Sequence, residues 1–281
     1  MPQLVWLITG CTSGFGEEFV HQILSRGDHA IATGRKLEKL KHLEKAGASI
    51  LQLDITDKQQ SLNNSINEAI NIYGRIDVLV NNAAYVAAGT LEDLRYEDIL
   101  DQFDTNVFGT MKVTKAILPY FRQKRSGTIV FIGSLAGWYG DAFTGAYSGT
   151  KFTLEGLVEG LSRGTAHLGI RNLLIEPGMF RTKLLSSGNL KTAQTSIPYY
   201  EELFKSGDES LKRSDQAQRG DIKKGVKIIL DLVRQEGCAA NREIPLRFPL
   251  GPDTYNVMKT KCEETLKLLE EWEPVIKSTD H

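Results

Sequence analysis

The sequence has little cysteine. Its three cysteines, Cys11, Cys238 and Cys262, are odd in number, lie far apart, and have neither a CxxC spacing nor a histidine cluster near them. This pattern argues against both a disulfide framework and a zinc site. It is typical of a reducing compartment, so we expect a cytoplasmic protein without a metal centre.

Long hydrophobic runs are also absent from the N-terminal region. The apolar run "LVWLI" covers only residues 4–8 before a glycine-rich stretch begins. The apolar region of a signal peptide needs roughly 7–15 residues, and a membrane helix needs about 20. We therefore expect neither a signal peptide nor a membrane span.

An excess of charge of one sign is the third absence. The chain has 34 basic and 35 acidic residues and a formal net charge of −1 at pH 7. It therefore lacks the single-signed field that would attract nucleic acid or an anionic membrane. We expect a small molecule as the partner and no nucleic acid, and self-association into a homo-oligomer stays open.

Six short apolar or β-branched runs alternate with helical segments along the 281 residues: 4–9, 29–34, 49–54, 77–82, 128–134 and 171–177. The runs lack a strict apolar/polar alternation, as expected for strands that helices cover on both faces. This order predicts one α/β domain over residues 1–281, built on a Rossmann-type, doubly wound parallel sheet.

Helical patterns cover residues 14–26, 57–73, 96–124 and 147–168. Proline cannot donate a backbone hydrogen bond within a helix, so we expect Pro119 to kink or break the third of these helices.

Two later segments fall outside this alternation. Residues 179–220 are polar but carry three aromatic residues, Tyr199, Tyr200 and Phe204. Because loops of this length are often functional, we predict a mobile substrate-binding flap with a helical piece around 198–206. An insertion that packs permanently on the sheet, or a subunit contact, is the alternative. Residues 245–281 are predicted to form a C-terminal extension.

A glycine-rich turn, "TGCTSGFG", places Gly10, Gly14 and Gly16 between the first strand and the first helix. Glycine lets the backbone turn sharply and lets a pyrophosphate approach N–H groups at the positive end of a helix dipole. The spacing is G-x3-G-x-G, and a tight connection without a ligand is the alternative. Its position at the first βα junction favours a dinucleotide site.

The ends of the second and third strands bear on the choice of dinucleotide. A carboxylate after the second strand would bind the adenosine ribose and repel a 2′-phosphate. The sequence has "ATGRK" there: Gly34 leaves room, and Arg35 offers a planar cation suited to phosphate. This favours NADP(H), with a solvated arginine as the alternative. Asp54 could accept a hydrogen bond from the adenine amino group or cap the next helix.

Six motifs stand in a characteristic order: "TGCTSGFG", "NNAA" (81–84), Asn106 in "NVFG", Ser134 in "GSLAG", "YSGTK" (147–151) and "PG" (177–178). In this order and spacing the chain resembles the classical short-chain dehydrogenases/reductases over residues 4 to about 182. The C-terminal "PLRFPLGPDTYNVMKTK" and "EEWEPVIKSTD" resemble a subgroup of NADP-dependent ketone reductases.

The resemblance implies catalytic roles for Asn106, Ser134, Tyr147 and Lys151. A tyrosine with a pKa of about 10 needs help to act as acid and base near neutrality. Lys151, one helical turn after Tyr147, would lower the phenol pKa together with the positive nicotinamide. The resemblance further implies that Ser134 holds the substrate oxygen, that Lys151 contacts the nicotinamide ribose, and that Asn106 holds a water linking the lysine to solvent.

The resemblance also implies a cofactor site, for NADP(H), made of Gly10, Thr12, Ser13, Gly14, Phe15, Gly16, Arg35, Asp54, Ile55, Asn82, Tyr147, Lys151, Pro177, Gly178 and Thr182. Asn81 is expected to tie neighbouring strands together through its amide instead.

Candidate walls of a substrate pocket follow the carboxyl ends of the strands. The predicted substrate-binding residues are Ser134, Trp138, Tyr139, Phe143, Tyr147, Met179 and Phe180, with Tyr85, Val86, Leu135 and Leu184 nearby. This set is mainly apolar and aromatic. It favours a hydrophobic ketone or secondary alcohol as the substrate of an NADP-dependent oxidoreductase.

Two rival functions stay open: a redox sensor that binds a dinucleotide without turnover, and an epimerase or dehydratase that uses the same cofactor. The complete set of reacting residues argues against the sensor. Only about 100 residues follow Gly178, which is short for the larger substrate domain of the second rival. Ala84 and Gly133 depart from the family pattern, where a glycine and a serine are usual. Both affect the pocket shape more than the reacting groups.

Overall fold

A parallel β-sheet forms the centre of the protein in a computed structural model that describes residues 2–186 and 188–280. The strands of this described chain are β1 (Val5–Ile8), β2 (His29–Gly34), β3 (Ser49–Gln52), β4 (Val78–Asn81), β5 (Val86–Ala88), β6 (Gly127–Ile132), β7 (Ile170–Pro177), β8 (Leu190–Thr192) and β9 (Arg247–Leu250). Seven strands pair in the order β3-β2-β1-β4-β6-β7-β9, and β5 pairs separately with β8. The predicted Rossmann-type fold is confirmed.

The helices cover both faces of this sheet. They are α1 (Gly14–Ser25), α2 (Lys41–Lys45), α3 (Gln59–Tyr73), α4 (Tyr96–Phe103), α5 (Thr110–Lys124), α6 (Gly145–Thr165), α7 (Glu201–Ser214), α8 (Ile222–Arg234) and α9 (Pro252–Lys277). Helices α1 and α8 pack on one face, and α3, α5 and α6 pack on the other. The sheet is therefore doubly wound.

Strand β1 shows why the sequence lacks alternation. Trp6 and Ile8 enter the core beneath α1 and α8, whereas Val5 and Leu7 enter the core beneath α3 and α5. All four side chains are fully buried, so neither face of the strand can be polar.

The expected break at Pro119 is wrong. Helix α5 runs through Pro119, and the irregular turn is a π-helical segment at Asp104–Gly109, between α4 and α5. Ile117 and Phe121, on either side of the proline, are both buried in the core. This packing holds α5 against the sheet despite one missing backbone hydrogen bond.

The C-terminal extension has two parts with different roles. Strand β9 lies inside it and pairs with β7, from Leu174 opposite Arg247 to Pro177 opposite Leu250. Pro249 is tolerated because β9 is an edge strand. Helix α9 follows and projects from the body, with every residue from 259 to 280 exposed. In residues 2–186 and 188–280, no helix combines the length and apolar character that a bilayer span requires.

Candidate active site

The carboxyl ends of the parallel strands bring most predicted site residues to one edge of the sheet. The glycine-rich turn follows β1, Asn82 follows β4, Ser134 follows β6, and Gly178 follows β7. Helix α6 carries Tyr147 and Lys151 to the same edge. Ligands bind at this edge in open α/β sheets.

The glycine-rich turn leaves no space for side chains at two positions. Gly10 has a positive φ of 71°, and a Cβ there would lie 2.8 Å from Cα of Ala83. A Cβ on Gly16 would lie 2.3 Å from the carbonyl oxygen of Gly10. The turn therefore needs glycine for its own close packing as well as for any ligand.

Asn82 holds this turn in place. Its Nδ2 donates to the carbonyl oxygens of Thr9 at 2.9 Å and Gly10 at 3.0 Å. Its backbone N–H donates to Thr9 Oγ1 at 2.9 Å. The side-chain amide is thus used within the protein, so Asn82 shapes the predicted cofactor site from behind.

The first backbone N–H groups of α1 donate no hydrogen bond to the side chain of the preceding residue. Ser13, the residue before α1, has an extended backbone (φ −172°, ψ 171°) and makes no side-chain hydrogen bond to the helix. Thr12 is exposed. Phe15 is buried and its ring lies edge-on to Phe180, with centroids 5.3 Å apart. The backbone of this segment is what an anionic group could reach.

The end of β2 presents an unpaired cation. Arg35 is exposed, and within the described residues its guanidinium has neither a hydrogen bond nor an ion pair. The space expected at Gly34 is narrower than predicted, because a Cβ there would lie 3.3 Å from Thr12 Cγ2. The glycine-rich turn and the end of β2 therefore pack closely together.

Asp54 and Ile55 follow β3. Asp54 Oδ1 accepts hydrogen bonds from the backbone N–H of Thr56 at 3.0 Å and from its hydroxyl at 2.8 Å. Asp54 therefore closes a local turn and does not cap α3, which begins at Gln59. Ile55 is buried.

Tyr147 and Lys151 lie one turn apart on α6, and both are buried. Lys151 Nζ is 5.6 Å from the centroid of the Tyr147 ring. It donates a hydrogen bond at 2.8 Å to the carbonyl oxygen of Ile132, the last residue of β6. The lysine thus fastens α6 to the sheet next to the phenol.

The protein's own groups do not lower the Tyr147 pKa, and the predicted lowering also depends on the positively charged nicotinamide. Burial raises the pKa of Tyr147 to about 12, and only a polar contact with Ser134 acts in the opposite direction. Burial lowers the pKa of Lys151 to about 8, against a raising effect of Glu155. The physical reason is that both groups leave water, which disfavours the phenolate and the ammonium alike.

Ser134 follows Gly133 after β6 and precedes a short 3-10 turn at Leu135–Gly137. Its backbone is extended, and its Oγ accepts a hydrogen bond from the N–H of Ala136 at 3.1 Å. At Gly133, which replaces the usual serine, a Cβ would lie 3.0 Å from the carbonyl oxygen of Ile175. The Ser134 hydroxyl also makes a polar contact with the Tyr147 phenol.

Asn106 lies in the π-helical turn and is buried. Its Nδ2 donates to the carbonyl oxygen of Tyr85 at 3.0 Å and to Thr150 Oγ1 at 3.2 Å, and its Oδ1 accepts from the N–H of Tyr85 at 3.1 Å. Asn106 therefore ties α6 to the chain after β4. Asn81 points elsewhere than expected: its Nδ2 donates to Thr114 Oγ1 in α5 at 2.9 Å, not to a neighbouring strand.

The turn after β7 meets the glycine-rich turn. Pro177 ends β7, and the Cβ of Thr182 lies 3.3 Å from the place of a Cβ on Gly14. Asp253, which the sequence did not single out, accepts a hydrogen bond from the N–H of Met179 at 2.6 Å. Its carboxylate would clash with any side chain at Gly178.

The predicted substrate residues divide into two groups. Trp138 donates from Nε1 to Glu176 at 2.8 Å, and Phe143 is buried against Phe204, with ring centroids 5.6 Å apart. These side chains and Phe180 pack within the protein. Tyr139 and Met179, by contrast, are 52% and 41% exposed.

A buried charge cluster behind Lys151 was missed from the sequence. Glu155 lies one turn after Lys151, and burial together with the Glu176 carboxyl raises its pKa to about 8. Arg247 Nε lies 2.8 Å from Glu155 Oε2. The i, i+4 spacing of Lys151 and Glu155 could have indicated this pair, whereas Arg247 is about 90 residues away in the chain.

The predicted flap is anchored at both ends and exposed in the middle. At its end, the N–H of Gly220 donates to the carbonyl oxygen of Met179 at 3.0 Å, and the N–H of Arg181 donates to the carbonyl oxygen of Gly220 at 3.1 Å. Strand β8 pairs with β5, and the N–H of Ala193 donates to the carbonyl oxygen of Ala88 at 2.8 Å. Its helical piece is longer than predicted, because a short 3-10 turn at Pro198–Tyr200 continues into α7, which has no buried residue. Tyr199 is 94% exposed. Residue 187 lies outside the described chain.

A sequence profile described as "short chain dehydrogenase" matches residues 4–192. Oxidoreductase BOA17 of Botryotinia fuckeliana is 32% identical over 95% of this chain and 96% of its own. The 3-ketodihydrosphingosine reductase of Bacteroides thetaiotaomicron is 31% identical over 89% and 88%. Human retinol dehydrogenase 8 is 32% identical over 86% and 81%.

Solved structures extend this likeness. A short-chain dehydrogenase from Streptomyces avermitilis has a TM-score of 0.89 at 35% identity and covers 100% of both chains. ElxO with NADP bound has a TM-score of 0.69 at 27% identity, over 89% of this chain and 96% of its own. A Burkholderia phymatum relative in complex with NAD, at 20% identity and a TM-score of 0.79 over 95% of both chains, shares the fold. The chain belongs to the short-chain dehydrogenase family of oxidoreductases, whose solved relatives bind NAD or NADP.

Proposed function

We propose that the protein is a cytoplasmic, NADP(H)-dependent oxidoreductase that interconverts a hydrophobic ketone and the corresponding secondary alcohol. The observation that carries this proposal is the meeting of Ser134, Tyr147 and Lys151 at the sheet edge that also holds the glycine-rich turn. Two relatives are named for bulky, largely apolar substrates, a ketodihydrosphingosine and retinol. Both names support a bulky, largely apolar substrate, and the first also supports a ketone, whereas retinol is a primary alcohol.

NADP(H) fits the residues present. The start of α1 has no side-chain cap, so its N–H groups and helix dipole would hold the pyrophosphate. The guanidinium of Arg35, unpaired within the described residues, would bind the 2′-phosphate. When bound, the reduced nicotinamide supplies a hydride to the carbonyl carbon.

The protein's own groups manage the proton. With a pKa of about 12, Tyr147 is protonated at neutral pH and can give its proton to the carbonyl oxygen. Ser134 Oγ donates a hydrogen bond to the same oxygen and holds it near the phenol. Lys151, kept in place by the Ile132 carbonyl, places its ammonium where the tyrosinate forms. In the oxidative direction the phenol needs this charge and that of the oxidised cofactor to lose its proton.

Residues 179–220 supply a cover for this site. We propose that β8 forms a fixed base, through its pairing with β5, and that residues 198–214 move. Among the described residues, one side-chain hydrogen bond joins residues 198–214 to the rest of the protein, from the Tyr200 hydroxyl to Glu92 at 3.1 Å. The Phe204 ring packs against Phe143. An ordered cover would exclude water from hydride transfer.

Replacing Tyr147 with phenylalanine tests the proton donor. We expect turnover to fall by about 10²- to 10⁴-fold, the usual cost of losing a general acid or base, while NADPH binding measured by fluorescence persists. Tyr96→Phe is the matched control, because Tyr96 is 69% exposed at the start of α4 and belongs to none of the predicted sites. A Tyr147→Phe enzyme as fast as the control would show that another group supplies the proton.

Arg35→Ala tests the cofactor. We expect the wild-type protein to prefer NADPH to NADH in kcat/KM, and the variant to lose about 1.5–3 kcal/mol of that preference, the worth of hydrogen bonds to a charged group. Lys41→Ala, which removes an exposed cation from the nearby helix α2, should leave the preference unchanged. A wild-type preference for NADH would overturn the assignment of Arg35.

Hydrogen exchange tests the cover. Amides of α7 should exchange fast in the cofactor-free protein, because none of its residues is buried, and slow when NADP and a substrate analogue are both bound. Amides of β4 should stay protected in both states, which provides the internal control. If α7 is already as protected as β4 without ligands, residues 198–214 are a permanent part of the structure.

A further inference from the structure

The C-terminal helix α9 presents an apolar stripe that nothing in residues 2–186 and 188–280 covers. Its 26 residues would extend about 39 Å at 1.5 Å per residue. In the stripe, Leu269 is 47% exposed, Trp272 55% and Ile276 46%, and the flanking Leu266 is 60% exposed. Most of the stability of a helix in a protein comes from packing its apolar face, and a contiguous exposed apolar stripe marks an interaction site.

The stripe has the spacing of a coiled coil. Its positions alternate in steps of three and four over three heptads: Tyr255, Met258, Cys262, Thr265, Leu269, Trp272 and Ile276. All except Thr265 are apolar or weakly polar. Such a pattern favours a second helix with the same repeat, packed knobs-into-holes along the stripe.

We infer that α9 pairs with α9 of a second copy of this chain, antiparallel and about a two-fold axis. Lys259 and Glu273 flank the stripe on the same side, and Leu266 lies midway between them. When Leu266 faces Leu266 of the second copy, Lys259 faces Glu273 of that copy, and Glu273 faces its Lys259. One register thus forms two equivalent ion pairs between Lys259 and Glu273, as a self-complementary two-fold interface requires.

The same register also matches the apolar positions. It pairs Met258 with Ile276, Cys262 with Trp272, and Thr265 with Leu269 across the axis, because the midpoint of each pair is residue 267, between the flanking positions 266 and 268. Leu268 meets itself on the other flank of the stripe and is 54% exposed in the single chain.

A parallel pair would lack these charge contacts. In a parallel coiled coil, each g position of one helix lies opposite the e position five residues later in the other helix. This places Lys261 opposite Leu266 and Leu268 opposite Glu273. Neither is an ion pair. The charges therefore select the antiparallel arrangement.

Lys259 and Glu273 have partners within the single helix. Lys259 Nζ lies 3.7 Å from Glu263, and Glu273 forms an ion pair with Lys277. All four side chains are more than half exposed, and such pairs add little stability. They can exchange for contacts across the axis.

A membrane surface fits α9 less well. The helix carries six acidic residues and four lysines, so anionic lipid headgroups would be repelled. Its first turn is tied to the body, since Asp253 accepts the hydrogen bond from Met179 at the site's rim. A second copy is therefore the occupant that the sequence and geometry favour.

The mass of the full chain in solution tests this inference. We expect sedimentation velocity to show an assembly of at least two 31.3 kDa chains, and Leu269→Glu/Trp272→Glu to halve the assembly mass with unchanged far-ultraviolet circular dichroism. Lys267→Glu, on the outward side of α9, is the control and should keep the wild-type mass. A monomeric wild type, or an assembly that the double variant leaves intact, would overturn the inference.

A charge exchange tests the register. Lys259→Glu should raise the dimer dissociation constant roughly tenfold, because it turns two attractive pairs into repulsive ones. Lys259→Glu/Glu273→Lys should restore the wild-type constant. Failure of the double exchange to restore it would overturn the antiparallel register. A wild-type chain that stays monomeric but cosediments with phosphatidylcholine vesicles would assign the stripe to lipid instead.

Discussion

The hydrogen bond from Lys151 to the carbonyl oxygen of Ile132 is the contact on which the site depends. It places a buried ammonium at the end of β6 and so fixes where α6 crosses the edge of the sheet. Tyr147, one turn earlier on α6, is thereby held beside Ser134, which lies two residues after the end of β6. Together with the hydrogen bond from Asn106 to Thr150, this contact fixes the side of α6 that faces the edge of the sheet.

Burial shifts the pKa values of two charged groups next to Tyr147 on α6. The pKa of Lys151 falls to about 8, and the pKa of Glu155, one turn further along, rises to about 8. Arg247 from β9 and the carboxyl of Glu176 from β7 complete the cluster. The last strand of the sheet therefore contributes a charge behind the candidate catalytic lysine, which explains why the chain after residue 245 is part of the site's support.

Local patterns in the sequence predicted the sheet, because apolar runs and glycine spacing depend on neighbours in the chain. The candidate catalytic residues came from the order of six motifs and the family resemblance that they carry. Long-range contacts were beyond such patterns. Strand β9 has a proline and an arginine among four residues, and only its pairing with β7 makes it a strand. The raised pKa of the Tyr147 phenol was beyond these patterns for the same reason, since the burial of the phenol depends on the whole fold.

The most direct test of the proposed chemistry follows the hydride. NADPH carrying deuterium at both C4 positions of the nicotinamide is incubated with the wild-type protein and a panel of hydrophobic ketones, and the products are analysed by mass spectrometry. The proposal predicts a secondary alcohol with one deuterium on the carbinol carbon and a hydroxyl proton from solvent. An alcohol without deuterium, or no turnover of any ketone in the panel, would contradict it.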